Sequence, residues 1–296
     1  MPIKTVNNIL VLVIIIFSLI VSIYGFFSNK IIYENKSIQT ISGENVMLYG
    51  KGLYHNDSVS GASQARAQDI ITLIVGLPLL IISLLLSNKN SLRGKLLLTG
   101  TIGYFLYTYA SYSFLLSYNA FFLIYVLLMS LSFFCFVINI TSEELKNLDR
   151  YFGQNFPKKY IGIFTIIIGA IVLLMWLALI LPSMKTAPAE LEHYTTLVIQ
   201  ALDIGFIAPV AILSGIMLIK NKSQGYLLAS IIIIKGATLL LAVSMMIVFM
   251  ISSGVNVPII QIIMFPIFAI MCVLNLFIIL KNVVEKKEAN QRITNG

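Results

Sequence analysis

Long apolar runs constrain the fold of this chain more than any other feature. Runs such as Ile9–Phe27 and Phe121–Ile140 contain no Asp, Glu, Lys or Arg. Each is long enough to cross the ~30 Å apolar core of a bilayer as a helix, which takes roughly 18 or more residues. The chain is 58% hydrophobic and 11% charged, whereas soluble domains carry about 25% charged residues. Lipid must therefore be the solvent for much of the chain.

The runs predict an all-α, polytopic transmembrane helix bundle that forms a single integral membrane domain over residues 1–296. Helices are expected because a helix satisfies its own backbone hydrogen bonds inside lipid. Strands of a membrane barrel would alternate apolar and polar residues, and these runs do not. We predict eight spans, at Ile9–Phe27, Ile70–Leu86, Leu96–Leu116, Phe121–Ile140, Ile161–Leu181, Tyr194–Ile219, Gly225–Ile251 and Val257–Leu280.

Lys and Arg residues cluster in alternate links between these spans, and the positive-inside rule makes that side cytoplasmic. This predicts a protein of the cell membrane with both termini in the cytoplasm and an extracytoplasmic loop at residues 28–69. The same distribution explains the net charge of +8 without nucleic acid as a partner. The basic residues on the predicted cytoplasmic side are Lys4, Lys89, Arg93, Lys95, Lys146, Arg150, Lys158, Lys159, Lys220, Lys222, Lys281, Lys286, Lys287 and Arg292.

The second span resembles the sixth. When the chain is shifted by the 131 residues that separate Pro78 from Pro209, Ser83 aligns with Ser214. In the following link, Asn90 aligns with Asn221, and Gly94 with Gly225. The pattern indicates two parallel four-helix repeats, residues 1–150 and 151–296, related by an axis along the membrane normal. Chance similarity between apolar helices with similar ends is the alternative.

Two charged residues lie deep inside apolar spans. Asp203 lies in the sixth span and Lys235 in the seventh. A charge at the centre of a membrane helix costs at least about 2.5–3.5 kcal/mol, so such residues usually face a cavity or a partner. An Asp203–Lys235 ion pair is possible, because a short link joins the two spans. The alternatives are a functional site and a buried pair that only sets helix register.

Other polar residues share faces with these charges. Thr196 and Gln200 fall on the same helix face as Asp203. On the third span, Tyr104 and Tyr107 share a face that should point into the bundle, because tyrosine hydroxyls in lipid seek partners. Packing is the alternative for the tyrosines. We predict a site for a small molecule lined by Asp203, Lys235, Gln200, Thr196, Tyr104 and Tyr107.

Polar residues outside the spans form weaker patterns. Arg66 and Asp69 begin the second span, where we expect a helix-end pair near the headgroups. The predicted outer side also holds histidines and carboxylates that could converge on a divalent cation. No spacing among them matches a ligand signature, so we predict neither a metal nor a cofactor. These residues are His55, Asp57, Glu190, Glu192 and His193.

Three segments carry a resemblance to known sequences. They are Tyr49–Asp57, Gly103–Ser111 and Tyr194–Asp203. They resemble segments of an uncharacterised family of prokaryotic multi-pass integral membrane proteins. The resemblance implies a prokaryotic cell membrane and no known activity.

Absent motifs narrow the function. The chain has no nucleotide-binding P-loop, no GxSxG and no HExxH, so an ATP-driven motor and the common hydrolases are not indicated. Our first expectation is a transporter or channel for a small solute. The alternative is a non-catalytic sensor or accessory subunit that binds a ligand or partner through the outer loop. A membrane enzyme acting on lipid ranks last, because paired acids and His clusters are lacking.

Overall fold

The computed structural model of the chain describes residues 2–40, 43–184, 188 and 191–285. Helices dominate these residues, and the two short strands, β1 and β2, form an antiparallel hairpin. The elements are α1 Ile3–Phe27, β1 Ser37–Gln39, β2 Asn45–Met47, α2 Val59–Ile71, α3 Leu77–Asn88, α4 Leu92–Leu115, α5 Phe122–Ile140, α6 Lys158–Ile180, α7 Val198–Leu202, α8 Ala208–Ile219, α9 Ser223–Ser252 and α10 Ile259–Asn282.

Within the described ranges, seven helices are long and apolar enough to cross a membrane. This confirms the prediction of an all-α polytopic membrane protein. Helix bounds differ from the predicted ones mainly where polar residues extend a helix beyond its apolar run. The seven helices are Ile3–Phe27, Val59–Asn88, Phe122–Ile140, Lys158–Ser183, Val198–Ile219, Ser223–Ser252 and Ile259–Asn282.

Helix α4, the third predicted span, is the exception to this apolarity. It has 24 residues, but Thr and Tyr make it too polar to join that set. Its polar side chains, such as Thr99, Thr101 and Tyr104, are buried, and α4 packs against α3, α5 and α9. Protein rather than lipid therefore surrounds most of α4.

Two of the long helices carry the same interruption. A π-helical segment, Thr72–Gly76, separates α2 from α3, and a second, Asp203–Ile207, separates α7 from α8. Pro78 and Pro209 follow these segments. Proline lacks an N–H and its ring clashes with the carbonyl four residues earlier, so a widened turn before it relieves the clash.

The links predicted to be cytoplasmic lie together at one end of the bundle, here called the basic end. Hydrogen bonds and an ion pair connect them. The start of α1, the α3–α4 turn, the α5–α6 link and the α8–α9 turn meet there, together with the end of α10. Helix α4 begins at this end. The bonds join Lys4 to Asn88, Arg93 to Val283, Lys95 to Glu144 and Lys158 to Asn221.

The opposite end is covered by a folded loop, the cap, which comprises residues 28–40 and 43–58. The cap includes the hairpin, and its own residues Leu53 and Tyr54 are buried. The predicted loop of residues 28–69 is therefore shorter than expected. It ends at Ser58, whose hydroxyl accepts from Gly61 N–H at 2.8 Å and caps α2. Such a cap satisfies one of the free N–H groups at a helix start.

Glycines allow α6 and α8 to approach closely. A Cβ atom at Gly215 would lie 2.3 Å from the Gly162 carbonyl oxygen, and one at Gly169 would lie 2.8 Å from the Ala208 carbonyl oxygen. Small residues at such contacts let helix backbones pack tightly inside membranes, where no hydrophobic effect drives helices together.

We predict that Gly215→Leu destabilises the protein, because the new side chain must push α6 and α8 apart. Overpacking typically costs about 1–3 kcal/mol. A lower melting temperature and a smaller monodisperse fraction in detergent should report it. Gly205→Ala is the matched control, since nothing lies within 4 Å of a Cβ atom there. Equal melting temperatures for the two variants would contradict the close contact.

Candidate functional site

The Asp203 carboxylate is held by two aromatic donors. Tyr107 OH on α4 donates to Oδ1 at 2.7 Å, and Trp176 Nε1 on α6 donates to Oδ2 at 2.9 Å. Asp203 is the first residue of the π-helical segment. The side chain is half-buried, and both carboxylate oxygens are occupied by fixed donors. Such hydrogen bonds to a charged group are stronger than those between neutral groups.

Lys235 also contacts Tyr107, over the face of the ring whose hydroxyl binds Asp203. Its side chain is buried, with 5% of its surface exposed. Its Nζ atom lies 3.7 Å from the centre of the Tyr107 ring, a cation–π contact. Among the described residues no Lys235–Asp203 contact falls within 4.0 Å. The two opposite charges are therefore separated by one tyrosine, and the possible direct ion pair does not form.

The remaining predicted site residues are only partly brought to this place. Gln200 is buried one turn before Asp203, and within the described chain its amide makes no hydrogen bond to the carboxylate. Thr196 precedes α7 and is exposed. Tyr104 lies elsewhere: its hydroxyl accepts from Gln68 Nε2 at 2.7 Å and bonds Thr72 Oγ1 at 2.9 Å.

Trp176 was not predicted as a site residue. It is the single tryptophan of the chain. Its position in the sequence carries one signal, because a buried indole N–H needs an acceptor. Only the fold shows that the acceptor is Asp203.

A second buried carboxylate was placed wrongly. Asp69 was expected to pair with Arg66 near the headgroups, but it is 1% exposed and points into the bundle. Its Oδ2 accepts from Tyr54 OH at 2.6 Å and its Oδ1 from Tyr112 OH at 3.1 Å. Arg66 instead donates to Tyr49 OH at 2.7 Å. The misplacement arose because α2 extends outward from Ile70 to Val59, which buries Asp69.

Residues at the cap end form a third polar group. Asp57 Oδ1 accepts from Ser117 N–H at 2.8 Å and from Tyr194 OH at 3.1 Å. Glu192 accepts from the Ser58 hydroxyl, and His193 Nε2 lies 3.2 Å from Ser117 Oγ. The described residues contain no group of three His, Cys, Asp or Glu side chains able to hold a metal. Glu190, the remaining acid weighed for such a site, lies outside the described residues.

Burial sets the protonation of this cap-end group. Loss of hydration raises the pKa of Asp57 from its ordinary 3.8 to about 6, against the hydrogen bonds that favour the charged form. Burial also raises the pKa of Glu192 and lowers that of His193. In each case the low-dielectric surroundings disfavour the charged form.

The fold and these sites define the class: an α-helical, polytopic membrane protein with charged groups buried among its helices. No protein family, no curated protein and no solved structure matches this chain.

Trp176 provides a direct optical probe of Asp203. We predict that Asp203→Asn shifts the fluorescence maximum to shorter wavelength. A negative charge beside the indole N–H stabilises the excited state, in which electron density moves away from that end of the ring. Emission spectra of the purified variants in detergent test this. Glu143→Gln, which removes an exposed carboxylate, should leave the spectrum unchanged; an unshifted Asp203→Asn spectrum would refute the contact.

We predict that Asp57 makes the folded state less stable as pH rises. Its pKa is raised on folding, so its contribution is fully present below pH 3.8 and is lost as pH rises through about 6. A shift of about two units corresponds to on the order of 3 kcal/mol. Asp57→Asn keeps an oxygen for Ser117 and Tyr194 but cannot titrate.

Melting temperatures of wild type and Asp57→Asn are compared between pH 4 and pH 7. The difference between them reports the contribution of Asp57 to stability, because Glu192 and His193 are common to both proteins. The variant should gain stability relative to wild type as pH rises through that window. Parallel pH profiles would show that Asp57 does not titrate there.

Proposed function

We propose that the chain is a transporter of a small polar solute in the cell membrane, with α4 as an eighth span and both termini in the cytoplasm. Helix α4 runs from one end of the bundle to the other. It begins at the basic end, and Ser117, two residues after its last residue, bonds Asp57 at the cap end. At 1.5 Å per residue a helix of this length covers about 36 Å, enough for a bilayer core of ~30 Å. The positive-inside rule assigns the basic end to the cytoplasm.

We also propose that the bundle is built from two parallel repeats. The interruptions begin at Thr72 and Asp203, which are separated by the same interval as Pro78 and Pro209. The turns that follow place Asn90 at φ 60° and Asn221 at φ 57°. In each pair a buried serine bonds the carbonyl three residues earlier, Ser83 to Leu80 at 3.0 Å and Ser214 to Ala211 at 2.8 Å.

The comparison of the two repeats supports a functional role for Asp203 and Lys235, because the repeats differ at these two positions. Under this alignment Thr72 corresponds to Asp203, and Tyr104 corresponds to Lys235. In the first half these positions form a neutral hydrogen bond of 2.9 Å. In the second half they carry opposite charges. A scaffold that is stable with a neutral pair does not need the charges, so we assign them to function.

The observation that carries the proposal is the separation of Asp203 from Lys235 by Tyr107. Opposite charges in apolar surroundings lower their energy by direct contact, and here each contacts a different part of Tyr107, Asp203 the hydroxyl and Lys235 the ring face. A small solute or a proton can then exchange with the aromatic donors. Asp203 takes a cation or proton, and Lys235 sets that protonation or binds an anionic group.

A second candidate is a sensor or accessory subunit that acts through the cap. The observation in its favour is the 2.6 Å hydrogen bond from Tyr54, at the base of the cap, to Asp69 in the bundle. Through this bond, a ligand that binds the cap and moves Tyr54 would change the position of Asp69 inside the bundle. The transport proposal ranks first, because Asp57 Oδ1, in the cap, already accepts hydrogen bonds from Ser117 and Tyr194 within the chain.

The test is solute-driven current from purified protein in liposomes adsorbed on a solid support. The panel comprises amino acids, organic cations, organic anions and small inorganic ions, each with and without a pH gradient. We expect at least one class to produce current, and Asp203→Asn to reduce it by roughly tenfold or more, as loss of a charged hydrogen-bonding partner implies. Glu143→Gln should behave as wild type.

Two results would contradict the proposal. One is a wild-type protein that is correctly folded but silent across the whole panel. The other is an Asp203→Asn variant that transports as wild type does. In either case, the sensor would be favoured by a partner protein that is recovered with the wild-type chain. That partner should be lost when exposed residues of the cap are substituted.

A further inference from the structure

Asp69 is a fully enclosed carboxylate on the face of α2 that points into the bundle. The two hydroxyl donors described above, from Tyr54 and Tyr112, are neutral groups. In the described part of the chain no Lys, Arg or His approaches the carboxylate within 4.0 Å. Arg66, one turn away on α2, acts on Asp69 only at a distance, because its guanidinium bonds Tyr49 and Phe26. A bare charge in these surroundings is strongly unfavourable, so a proton or a bound cation must neutralise it.

Four further hydroxyls close to this carboxylate have no partner with full hydrogen-bond geometry among the described residues. They are buried, and in high-resolution proteins most such groups are satisfied. Ser22 lies next to Asp69, and Ser18 and Ser22 lie next to Tyr109, near enough to interact but without the geometry of a full hydrogen bond. Tyr125 lies next to Tyr54, and its ring contacts Tyr112 at 5.1 Å between centroids. The unpartnered oxygens are those of Ser18, Ser22, Tyr109 and Tyr125.

These oxygens come from three separate elements, α1, α4 and α5, around one carboxylate of α2 that also bonds Tyr54 of the cap. Buried oxygen atoms that lie close together without full hydrogen bonds have lone pairs free for a shared cation. Hard cations such as Na⁺ and Mg²⁺ prefer oxygen ligands of this kind. The cluster therefore offers one charged and several neutral oxygen ligands.

The carboxylate packs closely against α1. A Cβ atom at Gly25 would lie 2.1 Å from Asp69 Oδ2 and 2.6 Å from Tyr54 OH. Glycine at this position lets α1 approach the carboxylate, and even a methyl group would not fit. A small ion suits such a place better than a large one or an organic ligand.

We propose that Asp69 and these hydroxyls bind one small monovalent cation, Na⁺. One carboxylate and one monovalent ion are neutral together, whereas a divalent ion would leave a buried net positive charge. The lack of space disfavours K⁺. The ion would be held by Asp69, with hydroxyl oxygens drawn from Ser18, Ser22, Tyr109 and Tyr125. This site shares no residue with the Asp203 site and does not rest on the transport proposal.

Na⁺ binding can be measured on the purified full chain in detergent. Melting temperatures are compared in NaCl, KCl and choline chloride at equal ionic strength, and binding of radioactive sodium is measured by scintillation proximity. A ligand that binds only the folded state raises its stability with concentration. We expect a higher melting temperature in NaCl alone, and saturable binding of one Na⁺ per chain.

Variants localise the ion. Asp69→Asn should abolish Na⁺ binding, and Ser22→Ala, a milder change, should weaken it by about tenfold, as loss of one oxygen ligand implies. Ser83→Ala is the matched control, because Ser83 is a buried serine whose hydroxyl bonds the Leu80 carbonyl. Asp203→Asn should bind Na⁺ as wild type does, which separates this site from the proposed transport site.

Several outcomes would overturn the proposal. Equal melting temperatures in the three salts, with no saturable sodium binding, would do so. So would stability that changes with pH but not with the salt, because Asp69 would then be neutralised by a proton alone. Full Na⁺ binding by well-folded Asp69→Asn would place any ion elsewhere.

Discussion

The absence of water at bilayer depth governs this structure. A polar group there must find its partner within the protein, because hydrocarbon offers none. Helix α4 illustrates the consequence: three of its side chains, Tyr104, Tyr107 and Thr108, bond polar groups on neighbouring helices. Those groups are Gln68, Thr72 and Asp203. Large apolar side chains such as Leu123 and Phe277 are exposed instead. The polar helix lies inside and the apolar helices surround it, the reverse of what solvent exposure would favour in water.

The same constraint is met in two ways at the two deep carboxylates. Asp203 keeps a cation nearby, because Lys235 lies over the ring of the tyrosine that binds it. Asp69 accepts hydrogen bonds from the hydroxyls of Tyr54 and Tyr112. Both lie on interrupted helices, Asp203 at the first residue of its π-helical segment and Asp69 one turn before Thr72. Widened turns of this kind are frequent at functional sites, because they redirect side chains that a regular helix would aim elsewhere.

Part of the site was predictable because charge in an apolar run is rare enough to be informative. Asp203 and Lys235 were identified in this way, and Tyr107 followed from its expected inward face. Tyr104 shares that face but bonds α2, because a helix at the centre of a bundle has neighbours on several sides. Trp176 could not be predicted, since tryptophan is common in membrane helices for other reasons. Asp69 was predicted to lie near the lipid headgroups, because hydropathy alone locates only the apolar part of a helix.

The sequence by itself determined that the chain is a helical, polytopic membrane protein. It also located seven segments that are long and apolar enough to cross, and it placed Asp203 and Lys235 inside two of them. These are properties of local composition, and lipid acts on each helix separately. Only the tertiary structure decided what each polar side chain bonds: Asp203 to Tyr107 and Trp176, Lys235 over the Tyr107 ring, Asp69 to Tyr54 and Tyr112. Those partners lie far apart along the chain, and their meeting depends on helix rotation and packing, which no local pattern encodes.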